Sequence, residues 1–101
     1  MNNASIDDAT LSKYEQRFKA LSDKKRLKII HELNNKGKVC VCELTSLLEL
    51  PQSKLSYHLK MLLDADLILQ ERIGKWNYYE LNHSEIKDLI SGKLCCIFVK
   101  E

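Results

Sequence analysis

Four helical stretches, then a run of alternating residues folded about a Gly-Lys turn, then a fifth helical stretch predict a mainly α fold with a β-hairpin wing, a winged helix-turn-helix. Three observations carry this. The apolar residues before residue 64 recur at helical spacing. The period changes at Leu67. Only three Gly and one Pro punctuate 101 residues, which favours helices over a many-turned β fold.

Residues 1–9 read as a flexible tail, 10–94 as the folded unit and 95–101 as a cysteine-containing tail. Leu11, Tyr14, Phe18 and Leu21 share the face of a first helix. Ser22-Asp23 offers a cap for a second helix over about Lys24 to Leu33, with Leu27, Ile30 and Leu33 inward and Asn34, Asn35 and Gly37 stopping it. Val39 to Val41 reads as a brief strand or a lead-in. Glu43 to Leu48 is a short third helix with Leu44, Leu47 and Leu48 on one side. Pro51 is placed to start a fourth helix to about Asp64, with Leu55, Leu59 and Leu62 buried. Leu67 to Ile73 and Trp76 to Leu81 flank Gly74-Lys75 as a hairpin. Asn82 with Glu85 forms a capping-box pattern, opening a fifth helix with Ile86, Leu89 and Ile90.

The outer face of the fourth helix carries Gln52, Ser53, Lys54, Ser56, Tyr57 and Lys60, and no acidic residue lies between Pro51 and Leu63. Gln and Ser match base edges, and Lys matches guanine or phosphate. Alone, such a face is merely solvated. Its place after a Leu-anchored short helix and before a hairpin bearing Arg72 and Lys75 makes double-stranded DNA the expected partner. His58, within that helix, adds a contact or packs. The net charge of +2 excludes a polybasic coat but not a local basic face. One copy offers few contacts. A two-fold homodimer would set two reading helices roughly 34 Å apart, on an operator with an imperfect inverted repeat. Tyr14, Phe18, Ile86, Leu89 and Ile90 are candidates for the dimer face, or plain core.

No apolar stretch approaches the roughly 20 residues of a membrane helix, and the polar N-terminus does not resemble a signal peptide, so a cytoplasmic, membrane-free protein is expected. In that compartment four Cys point to metal binding or redox sensing rather than structural disulfides. Cys40 and Cys42 flank one residue. An extended backbone sends both sulfurs to one side, whereas a helical one sets them about 200° apart. Capture of a ligand is therefore expected to unwind the first turn of the third helix. Soft thiolates select thiophilic centres. Cys95 and Cys96 are read two ways, as a source of a third sulfur from the same or the partner subunit, or as packing residues of an apolar tail. No Ser-His-Asp set, phosphate loop or Cys-x-x-Cys stands out, so no enzyme is expected.

The segments FKALSDKKRLKIIHEL, VCVCELTSLLELPQSKLSYHLKMLLDADLI and GKWNYYELN, from Phe18 to about Leu81, resemble the ArsR/SmtB family of metal-sensing repressors, and the CVC before EL resembles its arsenic-responsive branch. The resemblance implies a dimeric operator-binding repressor relieved by ligand. As(III) or Sb(III) is the expected inducer, on Cys40 and Cys42 with Cys95 or Cys96 as a source of a third sulfur, and no metal is required for DNA binding. Departures are visible. Thr45 stands where three-cysteine members place their third Cys, residues 1–39 hold no Cys, and His83 stands nearly alone where zinc sensors pair Asp and His. A closely similar subset carries the Cys-Cys-Ile-Phe tail found at Cys95 to Phe98. The alternatives on the same cysteines are a sensor of persulfide or oxidant and a sensor of Cd, Pb or Zn. A protein-docking winged helix is disfavoured by the basic, acid-free reading face.

Overall fold

Two carboxylates set where the first two helices begin. In the computed structural model, which describes residues 7–90, the Asp7 side chain accepts from the Thr10 amide at 2.8 Å and opens α1, Asp8–Leu21. The Asp23 side chain accepts from the Lys25 and Arg26 amides at 2.8 and 3.2 Å and opens α2, Lys24–Lys36. Each cap satisfies donors that a first helical turn leaves over. α1 thus begins inside the segment expected to be tail, because Asp7 is available as a cap. α2 runs past Leu33 to Lys36. Its stop is Gly37, whose φ of 84° is a conformation open to glycine and whose N–H donates to the Leu33 carbonyl at 2.8 Å.

A two-residue strand β1, Val39–Cys40, leads straight into α3, Val41–Leu48, which starts two residues earlier than expected. Glu49 takes the left-handed conformation at φ 54°, and the chain turns through Leu50 and Pro51 into α4, Gln52–Asp64. The hairpin follows as β2, Ile68–Ile73, and β3, Trp76–Leu81. Ile73 pairs with Trp76 across a two-residue turn in which Gly74, at φ 64°, supplies the positive first position of a type II′ turn. α5, His83–Ile90, closes the described chain, with the Asn82 carbonyl accepting from the Glu85 and Ile86 amides. This is the winged helix-turn-helix order, with one addition. The sheet has three strands in the order β1-β3-β2, because β1 pairs antiparallel with β3 through Val39 with Tyr79 and Cys40 with Tyr78.

The core gathers Ile29 and Leu33 of α2, Leu44 and Leu48 of α3, Leu55, Leu59 and Leu62 of α4, and Leu67, Ile68 and Leu81 at the hairpin base. The α2 stripe differs from expectation. Leu27 is 52% exposed, Ile29 is fully buried, and Arg26 is 7% exposed. The inward row is Arg26, Ile29 and Leu33, a spacing an apolar-only reading misses because an arginine fills one place. Its aliphatic stem lies in the interior while Nε donates to the Ala20 carbonyl at 2.6 Å and Nη1 meets His58 Nδ1 at 3.0 Å. The alternation along β2 also fails to map onto two faces. Ile68 is buried, but Leu69 and Ile73 are 46% and 47% exposed, since the hairpin leaves the body of the protein beyond its base.

Arg17 is a second buried arginine, 2% exposed. Its Nε donates to the Ala65 carbonyl at 3.1 Å, just past α4, and its Nη2 pairs with Glu85 of α5 at 2.5 Å. Nη1 lies 3.9 Å from Asp88 Oδ2, which accepts from the Tyr14 hydroxyl at 3.0 Å. Burial first, then that hydrogen bond, holds the Tyr14 phenol above its ordinary value and keeps it a donor. Three helices, α1, α4 and α5, are therefore tied together at one guanidinium. Of the expected dimer-face residues, Tyr14 and Leu89 are core and Ile86 packs against it, whereas Phe18 and Ile90 are 40% and 78% exposed, with Leu11 at 44% beside them in sequence pattern.

Two outcomes follow for stability. Arg17→Ala leaves the Ala65 carbonyl without its donor and removes the buried charge facing Glu85 and Asp88, and is expected to cost about 2–4 kcal/mol, Glu85 being partly hydrated, as read by urea denaturation. Asp23→Ala is expected to cost about 1 kcal/mol at neutral pH. Burial pushes the Asp23 carboxyl up, but the Arg26 and Lys25 amides and the Arg26 charge outweigh it and leave it below its usual range. The cap's contribution is therefore present above the unfolded value of about 3.9 and lost as pH falls through the lower folded value. Denaturation at pH 7 and at acid pH should show the difference between the two proteins shrinking.

Candidate nucleic-acid interface and thiol site

α4 turns Leu55, Leu59 and Leu62 to the core, which leaves Gln52, Ser53, Lys54, Ser56, Tyr57 and Lys60 exposed along its other side. No side chain caps its first turn, so those amides stay directed outward. Tyr57 is 58% exposed and meets the His58 ring edge-on at 5.4 Å between centroids. Lys60 reaches Asp64 at 3.2 Å, an exposed i,i+4 pair of the weak kind, so its charge remains available to a stronger partner. His58 departs from the outward row. It is half-buried and its Nδ1 faces Arg26, so the geometry gives it a role in seating α4 on α2.

On the wing, Arg72 Nε donates to the Gly74 carbonyl at 3.3 Å and Lys75 Nζ sits 5.6 Å above the Trp76 ring, leaving two cations at the tip. The wing's acids lie nearer its base. Lys38, just before β1, hydrogen-bonds Glu71 and lies 3.8 Å from Glu80. The bond to Glu71 and the two carboxylate charges hold the Lys38 ammonium above its ordinary range. The negative charge of the wing is thus countered away from the tip. Sequence reading missed Lys38 and Arg26. The pairing of β1 with β3 was the missing information for the first, and a buried arginine has no apolar signature for the second.

Cys40 is the last residue of β1 and Cys42 lies in the first turn of α3. Cys40 has an extended backbone, φ −69° and ψ 145°, and caps the helix, with its sulfur accepting from the Cys42 amide at 3.3 Å. Their Cα atoms are 5.2 Å apart and the sulfurs are joined as a disulfide. The two backbone cases weighed from sequence, both extended or both helical, are each set aside. One cysteine lies on each side of a strand-to-helix junction, and the sulfurs converge with α3 intact from Val41. No unwinding is needed to bring them together. Cys40 is 8% exposed and Cys42 is exposed, so the pair opens to solvent from one side. Thr45 lies one turn on, and its hydroxyl donates to the Cys42 carbonyl at 2.8 Å.

Two adjacent sulfurs fit two of the three positions of a trivalent thiophilic centre. Among the described residues no group of three His, Cys, Asp or Glu could complete a metal site. Cys95 and Cys96 lie outside the described residues. Beside Cys42 runs a cleft of about 260 Å³, walled by Val41 and Thr45 of α3, Gln52 at the start of α4, and Lys75, Trp76 and Asn77 of the wing. It brings the thiol site, the candidate reading helix and the wing to one place.

The pattern of the bacterial regulatory protein, arsR family, matches residues 23–69. The arsenical resistance operon repressor of Bacillus subtilis (strain 168) is 60% identical over 91 residues, covering 90% of this chain and 87% of that protein. Among solved structures, HlyU from Vibrio cholerae superimposes with a TM-score of 0.72 at 32% identity, covering 89% of this chain and 99% of that one. A homodimeric winged helix-turn-helix DNA-binding domain from Mycobacterium bovis matches the fold with a TM-score of 0.74 at 23% identity, over 95% of this chain and 89% of that one. No helix among the described residues is long and apolar enough to cross a membrane. A fold of five helices and a three-stranded winged sheet, a cysteine pair at the head of α3 and these likenesses place the chain in the ArsR family of transcriptional regulators, repressors and not enzymes.

Proposed function

We propose that the chain is a cytoplasmic, homodimeric repressor that holds an inverted-repeat operator and releases it when Cys40 and Cys42 bind As(III) or Sb(III). The cleft carries this reading, because one face of the thiol site is also a face of Gln52 and of the wing. The Bacillus subtilis relative, described as an arsenical resistance repressor, supports the choice of inducer.

In this reading Gln52, Ser53, Ser56 and Tyr57 meet base edges, and Lys54 and Lys60 meet phosphates. Arg72 and Lys75 reach the backbone or minor groove from the wing. His58 positions α4 through Arg26 rather than touching DNA. The exposed Leu11, Phe18 and Ile90 of α1 and α5 supply the two-fold face. DNA binding needs no metal.

Release passes along two covalent neighbours of the site. Cys42 belongs to α3, whose far end turns into α4, and Cys40 belongs to β1, whose ladder holds wing strand β3. The two thiols lose their protons, which leave as water with hydroxyls of the captured oxyacid, and the sulfurs close a ring that resets the strand-to-helix junction. A differential affinity of roughly 1–3 kcal/mol between the two states is the usual scale of such coupling. Cys95 or Cys96, from either subunit, supplies a third sulfur.

A second reading has its own observation. Cys40 and Cys42 are bonded to each other, which is the product an oxidant or persulfide sensor would form. Mass spectrometry after exposure of the reduced protein to arsenite or to persulfide separates the two readings. An arsenic adduct on the pair supports the first, and a disulfide or polysulfide coincident with operator release supports the second.

The double variant Cys40→Ser, Cys42→Ser is expected to bind operator as the parent does and to need at least tenfold more arsenite for release, measured by fluorescence anisotropy. Normal release in that variant overturns the inducer site. Lys54→Ala is expected to weaken binding to specific and random DNA alike. It should lower the slope of log affinity against log salt by about one per protomer. An unchanged slope places Lys54 off the phosphates.

A further inference from the structure

Beyond its base the hairpin stands clear of the core, with Leu69, Ile73 and Trp76 all exposed. Its pitch is set by the two-residue ladder of β1 and by the residue just before that ladder. Lys38 precedes Val39, which pairs with Tyr79, so the antiparallel register sets Lys38 beside Glu80. Its Nζ lies 3.8 Å from Glu80 Oε2 and hydrogen-bonds Glu71. Glu71 belongs to β2 and pairs with Tyr78, the same residue that pairs with Cys40. The Lys38 side chain therefore starts at one edge of the sheet, passes over the central strand and ends on the opposite edge strand. One ammonium ties the three strands together part-way along the wing. The side chains of Lys38, Glu71 and Glu80 are 39%, 54% and 40% exposed, and ion pairs so hydrated add little to global stability. Direction is a different matter. A six-residue strand spans roughly 20 Å, so a tilt of about 10° at the base moves the tip by roughly 3 Å, a whole hydrogen-bond length. Arg72 directly follows Glu71, and Lys75 lies across the turn.

We propose that Lys38 is a positioning residue for DNA recognition: it touches no DNA, and by gripping Glu71 and Glu80 it sets the pitch at which the wing presents Arg72 and Lys75 to the duplex. This rests on the wing reading above and adds the group that aims the wing. A plain counter-ion role gives a different expectation. There, Lys38 would only neutralise two carboxylates that repel the phosphates. The two roles differ in sign at Glu71. Removing a surface acid raises DNA affinity by simple electrostatics. If Lys38 aims the wing through Glu71, removing that acid lowers the affinity instead.

The test uses the full chain, reduced with a phosphine, and a labelled duplex that the parent protein enriches from a random-sequence pool, with binding read by fluorescence anisotropy. Arg72→Ala with Lys75→Ala is expected to weaken binding by about tenfold. Glu71→Thr keeps a strand-forming residue that is too short to meet Lys38. It is expected to weaken binding by about fivefold, although it removes a negative charge. Lys38→Glu combined with Glu71→Lys keeps the parent's net charge and again sets one cation between two carboxylates, so it should restore the affinity that Lys38→Glu alone loses. In protein already lacking Arg72 and Lys75, Glu71→Thr has no tip contact left to misplace and should cost nothing further. The urea midpoint of Glu71→Thr should stay near the parent's. If the tip variant binds weakly while Glu71→Thr binds as tightly as the parent or more tightly, the wing reading stands and the positioning role falls. The positioning role is also overturned by a Glu71→Thr loss that persists undiminished without the tip cations, or by one matched by a fall in the urea midpoint. If the tip variant binds like the parent, or the parent enriches no duplex, both readings fall.

Discussion

Val39 and Cys40 lie beside Tyr79 and Tyr78 in a two-residue antiparallel ladder, and much of the arrangement depends on it. The ladder adds a third strand to a hairpin that would otherwise stand as an isolated ribbon, a structure of marginal stability in water. It fixes the wing to the segment that precedes α3. It also holds Cys40 in extended backbone at the point where the helix begins, which is why Cys40 caps α3 and why Cys42 returns to meet it. A cysteine pair and a wing tip far apart in sequence therefore share a cleft.

Two buried arginines organise the rest. Arg26 joins the end of α1 to α4 through the Ala20 carbonyl and His58, and Arg17 joins α1 to the end of α4 and to α5 through Ala65 and Glu85. α4 is thus held by its leucine stripe, by one guanidinium at its middle and by another just past its end. A buried guanidinium is stable only where several acceptors converge on it, so each arginine also dictates the local backbone course. The outward residues of α4 inherit their direction from these inward constraints. The same holds for the exposed apolar residues of α1 and α5. Once Tyr14 and Leu89 are committed to the core, Leu11, Phe18 and Ile90 are left on the surface.

The bonded pair Cys40 and Cys42 spans the junction between a strand that carries the wing and a helix that leads to α4. Thr45 and an open cleft flank the pair.

The sequence by itself determined the element order, the hairpin turn, the outward row of α4 and the family. Those features rest on local rules: apolar spacing, the glycine at a positive φ, caps, and short motifs. It misjudged the phase of α2, where Arg26 rather than Leu27 faces inward, because a charged residue with satisfied donors is invisible to an apolar count. It left His58 as either a DNA contact or a packing residue, since a helical face gives no hint of a partner 32 residues away. Tertiary structure alone decided the pairing of β1 with β3, the meeting of the two sulfurs across a strand-to-helix junction, and the cleft that unites them with Gln52 and Trp76. Each is a contact between segments distant in the chain, set by how the layers pack and by no pattern within any one of them.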